Sequence, residues 1–391
     1  MKILLVSTLY NPYEIGGAER STRLIAKGYK KRGYEVEILT TCDRDMVNYV
    51  DEIKVNYVKF KHIFWRFNSV KVSIFEKILW RILEPLNFLN NSKIDNTLKN
   101  INPDLIHTNN IAGISPIIWQ LAKKNKIKIL HTARDYYLLC AKSGMYRNKK
   151  ACSSQCSMCK IYTSHYKKLS HQVDAFVGVS NFVKEAHLNN GYFSNSKSND
   201  FVNNIFKSKI YKKNRSYNNN NSLKIGVIGF IRETKGVNQL IESLNFNLNI
   251  NLIIAGQTSK GPYEKSFKKL IKNDKIEYLG YKDPELFFNS IDILIHPAVW
   301  HEPFPRVLIE SFSYGVPVIA SSNGGTNEAI IGLDTGFVYE NYQELEKILK
   351  EIINGNVNYS NLSSNCLKYS SENFTEEKII NKYLKNINKI C

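Results

Sequence analysis

Long hydrophobic runs are missing from this 391-residue chain. No apolar stretch reaches the length that a helix needs to cross a bilayer. The N-terminus, MKILLVSTLYNPYE, has too short an apolar run, and no small-residue cleavage site, to be a secretory signal peptide. We therefore expect residues 2–8 to form a first strand and the protein to be cytoplasmic.

The GxGxxG pattern of dinucleotide-binding loops is also missing. Residues 2–41 nevertheless predict a strand, a helix and a second strand, with Gly16 and Gly17 in the first loop. Such a βαβ opening predicts a parallel α/β sheet that binds its ligands at the carboxyl ends of the strands. The chain is long enough for two domains, each with its own core.

Acidic residues are scarce relative to basic ones, since 35 Asp and Glu stand against 54 Lys and Arg. The imbalance is concentrated in residues 1–200, which contain 31 basic and 16 acidic side chains, whereas residues 201–391 contain 23 and 19. General solvation explains this surplus as well as an anionic partner does. Such a partner would be a membrane surface, a lipid phosphate or a nucleic acid.

The segment 61–92 combines apolar side chains at helical spacing with many aromatic and basic ones. The apolar stripe consists of Ile74, Phe75, Ile78, Leu79, Ile82, Leu83 and Leu86. A stripe of this width is typical of a helix that packs on a core. The aromatic and basic side chains upstream of it favour docking at a membrane interface, and both interpretations stay open at this point.

Four of the seven cysteines lie close together in sequence, at Cys140, Cys152, Cys156 and Cys159. In a cytosolic protein such a cluster favours metal binding over disulfide formation. The spacing differs from that of a standard zinc ribbon. A structural zinc site and free thiols in a loop are therefore the two alternatives.

A polar segment divides the chain into two parts. Residues 201–222 include the run KKNRSYNNNNS, which predicts a flexible linker between a domain at 1–200 and a domain at 223–375. Both parts alternate predicted strands and helices. The last helix, within 376–391, is a candidate to pack back onto the first domain.

Polar side chains follow two of the predicted strands. His131, Arg134 and Asp135 come after the strand at 128–130, where α/β sheets place their chemistry. Arg232 and Lys235 follow the strand at 223–229, and both can reach a diphosphate. The alternative for the second pair is two solvated cations in a turn.

The stretch His296–Glu328 predicts a loop, a helix, a buried strand and a Gly-Gly loop. Glu302 and Glu310 are eight positions apart, about two helical turns, and face one cleft only if the helix starts near the first. A helix N-terminus is an anion-binding site, and Gly324-Gly325 allows a second close backbone approach. The alternative is a pair of surface acids on a helix.

Five segments, in this order and spacing, resemble the retaining nucleotide-sugar glycosyltransferases of the GT-B fold, in glycosyltransferase family 4. They are GGAE (16–19), RDYYLLC (134–140), VSNFV (179–183), GFIRETKG (229–236) and HEPFPRVLIESFSYGVPVIASSNGG (301–325). The resemblance implies two Rossmann-like domains facing a cleft, with the acceptor in the first and the nucleotide-diphosphate sugar mainly in the second. It also implies that Arg232, Lys235 and backbone N–H groups neutralise the diphosphate without a catalytic metal ion.

The resemblance gives the two acids separate roles. Glu310 would hydrogen-bond the nucleotide ribose, and Glu302 would stabilise positive charge at the anomeric carbon of the donor sugar. Pro305 stands where the family usually has glycine and donates no backbone N–H. The other donor-binding residues that the resemblance implies are Gly16, Gly17, Phe304, Arg306, Val307, Gly324 and Gly325.

One position departs from the family pattern. Many relatives place a His before the Asp of the strand-end motif, where this chain has Arg134, with His131 three residues earlier. Arginine stays protonated and cannot act as a base. We expect Arg134 to suit an anionic acceptor or a donor phosphate, and His131 or Asp135 to contact the acceptor hydroxyl. Alternatively, Arg134 and Asp135 only hold the loop together.

These features predict a retaining hexosyltransferase that moves a sugar to an oligosaccharide or lipid-linked acceptor at the inner membrane face. The pathway would be the synthesis of a bacterial surface polysaccharide such as lipopolysaccharide, O-antigen or capsule. A nucleotide-sugar epimerase on the same fold is a rival that fits the two acids and the first-domain loops less well. A basic nucleic-acid-binding protein is another, although no readout module is recognised and no nucleic acid is expected.

Overall fold

The structure is a computed structural model that describes residues 1–13, 16–61, 73, 88–206, 215–330 and 334–391. Its first sheet has eight strands among these residues. Within those residues the order is β10-β9-β6-β5-β1-β2-β4-β3, and every pair is parallel except β3–β4. The strands of the first 205 residues, including a separate β7–β8 hairpin, are β1 (Lys2–Val6), β2 (Glu35–Thr41), β3 (Met46–Val50), β4 (Ile53–Val58), β5 (Leu105–Thr108), β6 (Lys128–Ala133), β7 (Tyr146–Arg147), β8 (Lys150–Ala151), β9 (Ala175–Gly178) and β10 (Ser198–Phe201).

The central strands are apolar on both faces because helices cover the sheet on both sides. In β1, the residues after Lys2 are all buried. β1 lies between β5 and β2, so the strand order reverses at this point of the sheet. Parallel α/β sheets bind their ligands at such a point, at the carboxyl ends of the strands. The α-helices that accompany this sheet are Gly17–Lys31, Asn91–Ile101, Ile117–Lys124, Ser157–Tyr162, Ser164–Ser170, Asn181–Leu188 and Glu376–Ile387.

Two strands of this sheet lie where the sequence predicted none. β3 is an antiparallel edge strand with mostly exposed side chains, so it has no buried face to give it an alternating apolar pattern. β10 begins within the polar stretch that precedes the predicted linker, and its register is set by pairing with β9. Both strands depend on their neighbours in the sheet rather than on their own composition.

The second sheet has six strands among the described residues, all parallel, in the order β13-β12-β11-β14-β15-β16. They are β11 (Leu223–Ile228), β12 (Ile250–Ala255), β13 (Ile276–Tyr278), β14 (Ile293–His296), β15 (Val318–Ser321) and β16 (Gly336–Tyr339). The α-helices around it are Val237–Ser243, Pro262–Leu270, Pro284–Ser290, Arg306–Ser313, Asn327–Ile330, Tyr342–Ile353 and Tyr359–Asn373. β11 lies between β12 and β14, and parallel sheets with this strand order bind ligands at the carboxyl ends of such strands.

The described chain forms two compact units, which we call the first and second unit. The first comprises Met1–Met145, Ser153–Ile205 and Glu376–Cys391, and the second comprises Tyr146–Cys152 and Phe206–Thr375. The division differs from a first domain at 1–200 in two places: the segment Tyr146–Cys152, with the β7–β8 hairpin, belongs to the second unit, and the boundary lies after Ile205. The fold is mixed α/β with a parallel, Rossmann-like sheet in each unit.

Most of the aromatic and basic segment predicted at 61–92 lies outside the described residues, which omit 62–72 and 74–87. Its predicted helix and its membrane contact stay predictions. In the part of the chain that the structure describes, every helix is too short or too polar to span a bilayer.

Candidate active site

The carboxyl ends of β11 and β14 carry the predicted donor-binding residues of the second unit. Residues 229–236 follow β11, and residues 297–305 follow β14. The backbone N–H of Val299 donates a 3.0 Å hydrogen bond to the Thr234 carbonyl, which joins the two loops. The adjacent strands therefore bring Arg232, Lys235 and Glu302 into one region although they are far apart in sequence.

Glu302 is the best-anchored of these side chains. The residue is only 4% exposed, and its carboxylate forms an ion pair with Lys235. The indole N–H of Trp300 donates a 2.8 Å hydrogen bond to Oε1, and His296 Nε2 lies 3.6 Å from the same oxygen. Burial alone would favour the neutral acid, but the charge of Lys235 and the nearby His296 outweigh it and hold the Glu302 pKa well below its usual value. The site therefore contains a fixed negative charge.

Two glycines permit this arrangement. Gly324 has a φ of +66°, and a Cβ there would overlap the Glu302 backbone, whose carbonyl accepts a 2.7 Å hydrogen bond from the Gly325 N–H. Gly236 has a φ of +69°, and a Cβ there would overlap the Pro297 carbonyl oxygen. Side chains at either position would push the loops apart.

The second predicted acid lies on the helix that follows this loop. The helix begins at Arg306, so Glu302 lies in the preceding loop and Glu310 in the second turn. Glu310 is half-buried, with the Arg306 Nε 4.0 Å from its Oε1. Pro305 precedes the helix in an extended conformation and offers no N–H to an anion.

The other predicted donor contacts differ in accessibility. The Phe304 side chain is buried, with its ring centroid 6.1 Å from that of Phe374, whereas Val307 is half-buried. Arg232 is exposed, and its guanidinium lies 5.8 Å from the Trp300 ring centroid. A cation over an indole face is attracted by the ring electrons, so Trp300 orients Arg232 as well as Glu302.

A cavity of 290 Å³ in the first unit collects the other predicted residues. It lies at the carboxyl ends of β1, β5 and β6. The lining residues that the sequence predicted are Gly16, Gly17, His131, Arg134 and Asp135. The sequence did not predict Thr8, Asn109 or Tyr137, which also line it.

Arg134 is a buried cation in the wall of this cavity, with only 8% of its surface exposed. Its Nε donates to the Asn109 side-chain oxygen at 2.9 Å, and its Nη1 donates to that of Asn204 at 2.8 Å. Its Nη2 lies 3.4 Å from the Tyr383 hydroxyl. No carboxylate of the described residues lies within ion-pair distance of the guanidinium, so only neutral groups compensate its charge.

His131 is neutral and tightly packed. Its Nδ1 lies 2.9 Å from the Thr108 hydroxyl, and its ring is stacked with Phe193 and Phe176. Burial, followed by the neighbouring His187 and His107, lowers the His131 pKa well below its ordinary value. Asp135 accepts a 2.8 Å hydrogen bond from the Tyr137 N–H, which fixes the turn after β6.

The four clustered cysteines all lie among the described residues, and none of them forms a disulfide. Burial, together with the adjacent Cys140 and Cys156 thiols, raises the Cys159 pKa to about 12. Cys152 belongs to the second unit, while the other three belong to the first. Within the described part of the chain, no group of three or more His, Cys, Asp or Glu side chains is arranged to hold a metal ion. The structural zinc site therefore stays a prediction.

Two family models match the chain. Residues 15–197 match glycosyltransferase family 4, and residues 209–371 match glycosyl transferases group 1. An uncharacterised 42.6 kDa protein from the cps region of Klebsiella pneumoniae is 31% identical over 350 residues, covering 89% of this chain and 92% of that protein. The Staphylococcus aureus capsular polysaccharide biosynthesis glycosyltransferase CapM is 25% identical over 169 residues, covering 41% of this chain and 44% of that protein.

A solved structure shares the fold over its full length. The Anabaena protein Alr3699/HepE, crystallised with UDP, superposes with a TM-score of 0.71 at 18% identity and covers 100% of both chains. The matched models, the Klebsiella relative and the two parallel-sheet units agree. The chain belongs to the group 1 glycosyltransferases with a family 4 N-terminal half and the GT-B fold.

Proposed function

We propose that this glycosyltransferase is a retaining enzyme that transfers a hexose from a nucleoside diphosphate sugar to a hydroxyl group. The acceptor is a glycan or a lipid-linked saccharide in bacterial surface polysaccharide synthesis. The cps-region relative and the capsular glycosyltransferase support this pathway, and the UDP complex of the Anabaena protein supports a nucleotide donor. The enzyme would work in the cytoplasm, at the inner face of the membrane.

The observation that carries the proposal is the ionised, buried Glu302 at the end of β14. Breaking a glycosidic phosphate bond leaves positive charge on the anomeric carbon, and a fixed carboxylate beside that carbon stabilises it. Glu302 is ionised before any substrate binds, because the charge of Lys235 compensates its burial. It needs no reorganisation during the reaction.

The diphosphate would lie against Arg232, Lys235 and the start of the helix at Arg306. An ammonium group has three N–H donors, so the pairing with Glu302 leaves two on Lys235 for phosphate oxygens. Arg232 supplies a fork of N–H groups that suits a diphosphate. Neutralisation by these groups requires no metal ion. Glu310 would accept hydrogen bonds from the ribose hydroxyls.

Retention follows if the acceptor attacks the same face of the sugar that the diphosphate leaves. The bond between the anomeric carbon and the phosphate oxygen breaks, the bond to the acceptor oxygen forms, and the leaving phosphate takes the acceptor proton. No protein base is then required. His131 or Asp135 would orient the acceptor hydroxyl, and Arg134 would bind an anionic group of the acceptor or a donor phosphate.

Thermal-shift screening of nucleotide sugars, followed by product analysis on lipid extracts, tests this proposal. We expect one nucleoside diphosphate sugar to raise the melting temperature and to yield a product with the anomeric configuration of the donor. Inverted configuration would refute the retaining mechanism. Release of an epimerised nucleotide sugar without an acceptor would identify an epimerase instead.

A further inference from the structure

The loop after the cavity strand β6 has an unusual surface charge. Residues 136–173 contain seven Lys and Arg and no Asp or Glu. Four of these cations belong to the first unit, Lys142, Lys160, Lys167 and Lys168, and all four are exposed. The next acid, Asp174, is paired with Lys123. This part of the surface therefore has positive charge that no described carboxylate compensates.

Two large aliphatic side chains lie among these lysines. Met158 is 76% exposed and Ile161 is 77% exposed, which makes Ile161 the most exposed large hydrophobic side chain of the described residues. Both are on the helix Ser157–Tyr162, three positions apart, so they lie on the same side of it. We call Lys142, Met158, Lys160, Ile161, Lys167 and Lys168 the loop surface.

The opposite side of this loop is fixed to the core of the first unit. The Gln155 side chain donates to the Leu139 carbonyl at 2.8 Å and to the Thr163 hydroxyl at 2.7 Å. The Tyr192 hydroxyl donates to the Leu138 carbonyl at 2.8 Å. Since these polar groups are buried and satisfied, the helix cannot turn over to cover Met158 and Ile161 without breaking them.

The loop surface adjoins the cavity of the first unit. Leu138 and Ser143 line the cavity, while Lys142 is the immediate neighbour of Ser143. Ala141 hydrogen-bonds the Cys159 thiol, which brings Lys142 close to the helix that carries Met158 and Ile161. A partner bound to the loop surface would therefore lie beside the cavity.

We propose that the loop surface docks the protein onto an anionic phospholipid membrane. Lysines attract acidic headgroups, and exposed aliphatic side chains near them in the loop insert at the boundary of the acyl chains. A nucleic acid would satisfy the lysines but leave Met158 and Ile161 in water, so the combination favours lipid. Membrane docking would let a lipid-linked acceptor enter the cavity from the membrane, and only this consequence rests on the proposed function.

Co-sedimentation of the full chain with vesicles tests the proposal. We expect binding to vesicles of phosphatidylglycerol and phosphatidylethanolamine, and little binding to phosphatidylcholine. Replacing Lys160, Lys167 and Lys168 with Gln should weaken the partition coefficient about 100-fold, since each lysine near an anionic surface contributes about fivefold. Met158→Ser with Ile161→Ser should weaken it about tenfold while leaving its salt dependence unchanged.

Matched controls come from the second unit. Lys265 and Lys269 are exposed, and Tyr281 and Leu286 are exposed large hydrophobic side chains. Lys265→Gln with Lys269→Gln, and Tyr281→Ser with Leu286→Ser, should bind vesicles like the parent protein. Equal losses in these controls would overturn the assignment, because they would indicate nonspecific attraction.

Two other outcomes would also overturn the inference. One is equal binding to anionic and neutral vesicles. The other is salt-dependent binding of an oligonucleotide, without vesicle binding, that the lysine variants abolish. The thermal shift with nucleotide sugars, measured on the same preparations, separates the two proposals. A lost shift with intact vesicle binding would count against the transferase proposal alone.

Discussion

The two units contain buried charges of opposite sign that are compensated in different ways. Glu302 in the second unit is paired with Lys235, and the Trp300 N–H and His296 lie close to the same carboxylate oxygen. Arg134 in the first unit is bound by the neutral side chains of Asn109 and Asn204. Lys235 neutralises the charge of Glu302, whereas no described carboxylate neutralises the charge of Arg134.

The difference indicates what each site is prepared to bind. A compensated carboxylate is costly to disturb and keeps its charge whether or not substrate is present, which suits a charge that acts on a transition state. A buried guanidinium without a counter-ion gains free energy when an anion arrives, which suits substrate recognition. We therefore expect Glu302 to govern turnover and Arg134 to govern affinity.

Removal of the Glu302 carboxylate should have the largest effect. We expect Glu302→Ala to lower kcat about 1000-fold, with a much smaller change in donor KM, because a charge used mainly in the transition state is lost. Steady-state kinetics with saturating acceptor would measure this. Glu310→Ala is the matched control, since it should raise donor KM about tenfold and leave kcat nearly unchanged. If both variants kept the parent kinetics, the site assignment would be wrong.

Lys235 should be the next most sensitive position. Lys235→Met leaves Glu302 buried without its main counter-ion, so we expect a loss of about 3–5 kcal/mol in the free energy of unfolding. Urea denaturation of the second unit would measure it. The double variant Lys235→Met with Glu302→Gln should recover most of the loss. A single-variant loss below about 1 kcal/mol would contradict the pairing.

Arg134 should respond in the opposite way. Arg134→Met takes a donor away from the Asn109 and Asn204 side-chain oxygens but also removes a buried charge without a counter-ion, so the free energy of unfolding should fall by only about 1–2 kcal/mol. The KM of an anionic acceptor or the donor should rise about 30-fold, as expected for a lost hydrogen bond to a charged group. Arg134→Lys should restore part of the affinity. A strongly destabilised variant with parent KM values would show that Arg134 only holds the loop together.

The pH dependence of stability should also differ between the two units, although we expect this effect to be smaller than those of the substitutions above. Burial lowers the pKa of His107 to about 3 and that of His187 to about 4, and it lowers that of His131 as well. The unfolded chain binds protons to these residues below about pH 6.5 and the folded first unit does not, so stability falls as the pH falls below that value. Each histidine contributes about 1.4 kcal/mol per pH unit.

The second unit has one fully buried histidine of this kind, His296, and its Glu302 begins to matter only below about pH 4.3. Hydrogen exchange should therefore show a loss of protection in the first unit before the second when the pH falls from 7 to 5. His131→Phe should make the fall shallower. Equal loss in both units, unaffected by that variant, would refute the explanation.

The sequence was sufficient to predict the strand ends that carry the candidate site residues, because short apolar strands followed by polar groups have a local pattern. Arg134, Arg232 and Glu302 were placed correctly at the ends of β6, β11 and β14. Their partners were not predictable. Lys235 and Glu302 are 67 positions apart, and Arg134 and Tyr383 are 249 apart, so only the sheet order brings them together.

The cysteine cluster shows that residues close together in sequence can belong to different units. Close spacing in sequence suggested a metal site, which stays a prediction; Cys152 belongs to the second unit and the other three cysteines to the first. Spacing along the chain does not report which unit a loop joins. The Trp300 contact with Glu302 could have been suspected, because an indole two residues from a buried acid is a natural donor.

The most direct test of the central claim is a crystal structure with the nucleoside diphosphate sugar that stabilises the protein. We expect the diphosphate within hydrogen-bonding distance of Arg232 and Lys235, the anomeric carbon beside the Glu302 carboxylate, and the ribose at Glu310. A nucleotide whose diphosphate lies away from these three side chains would contradict the account.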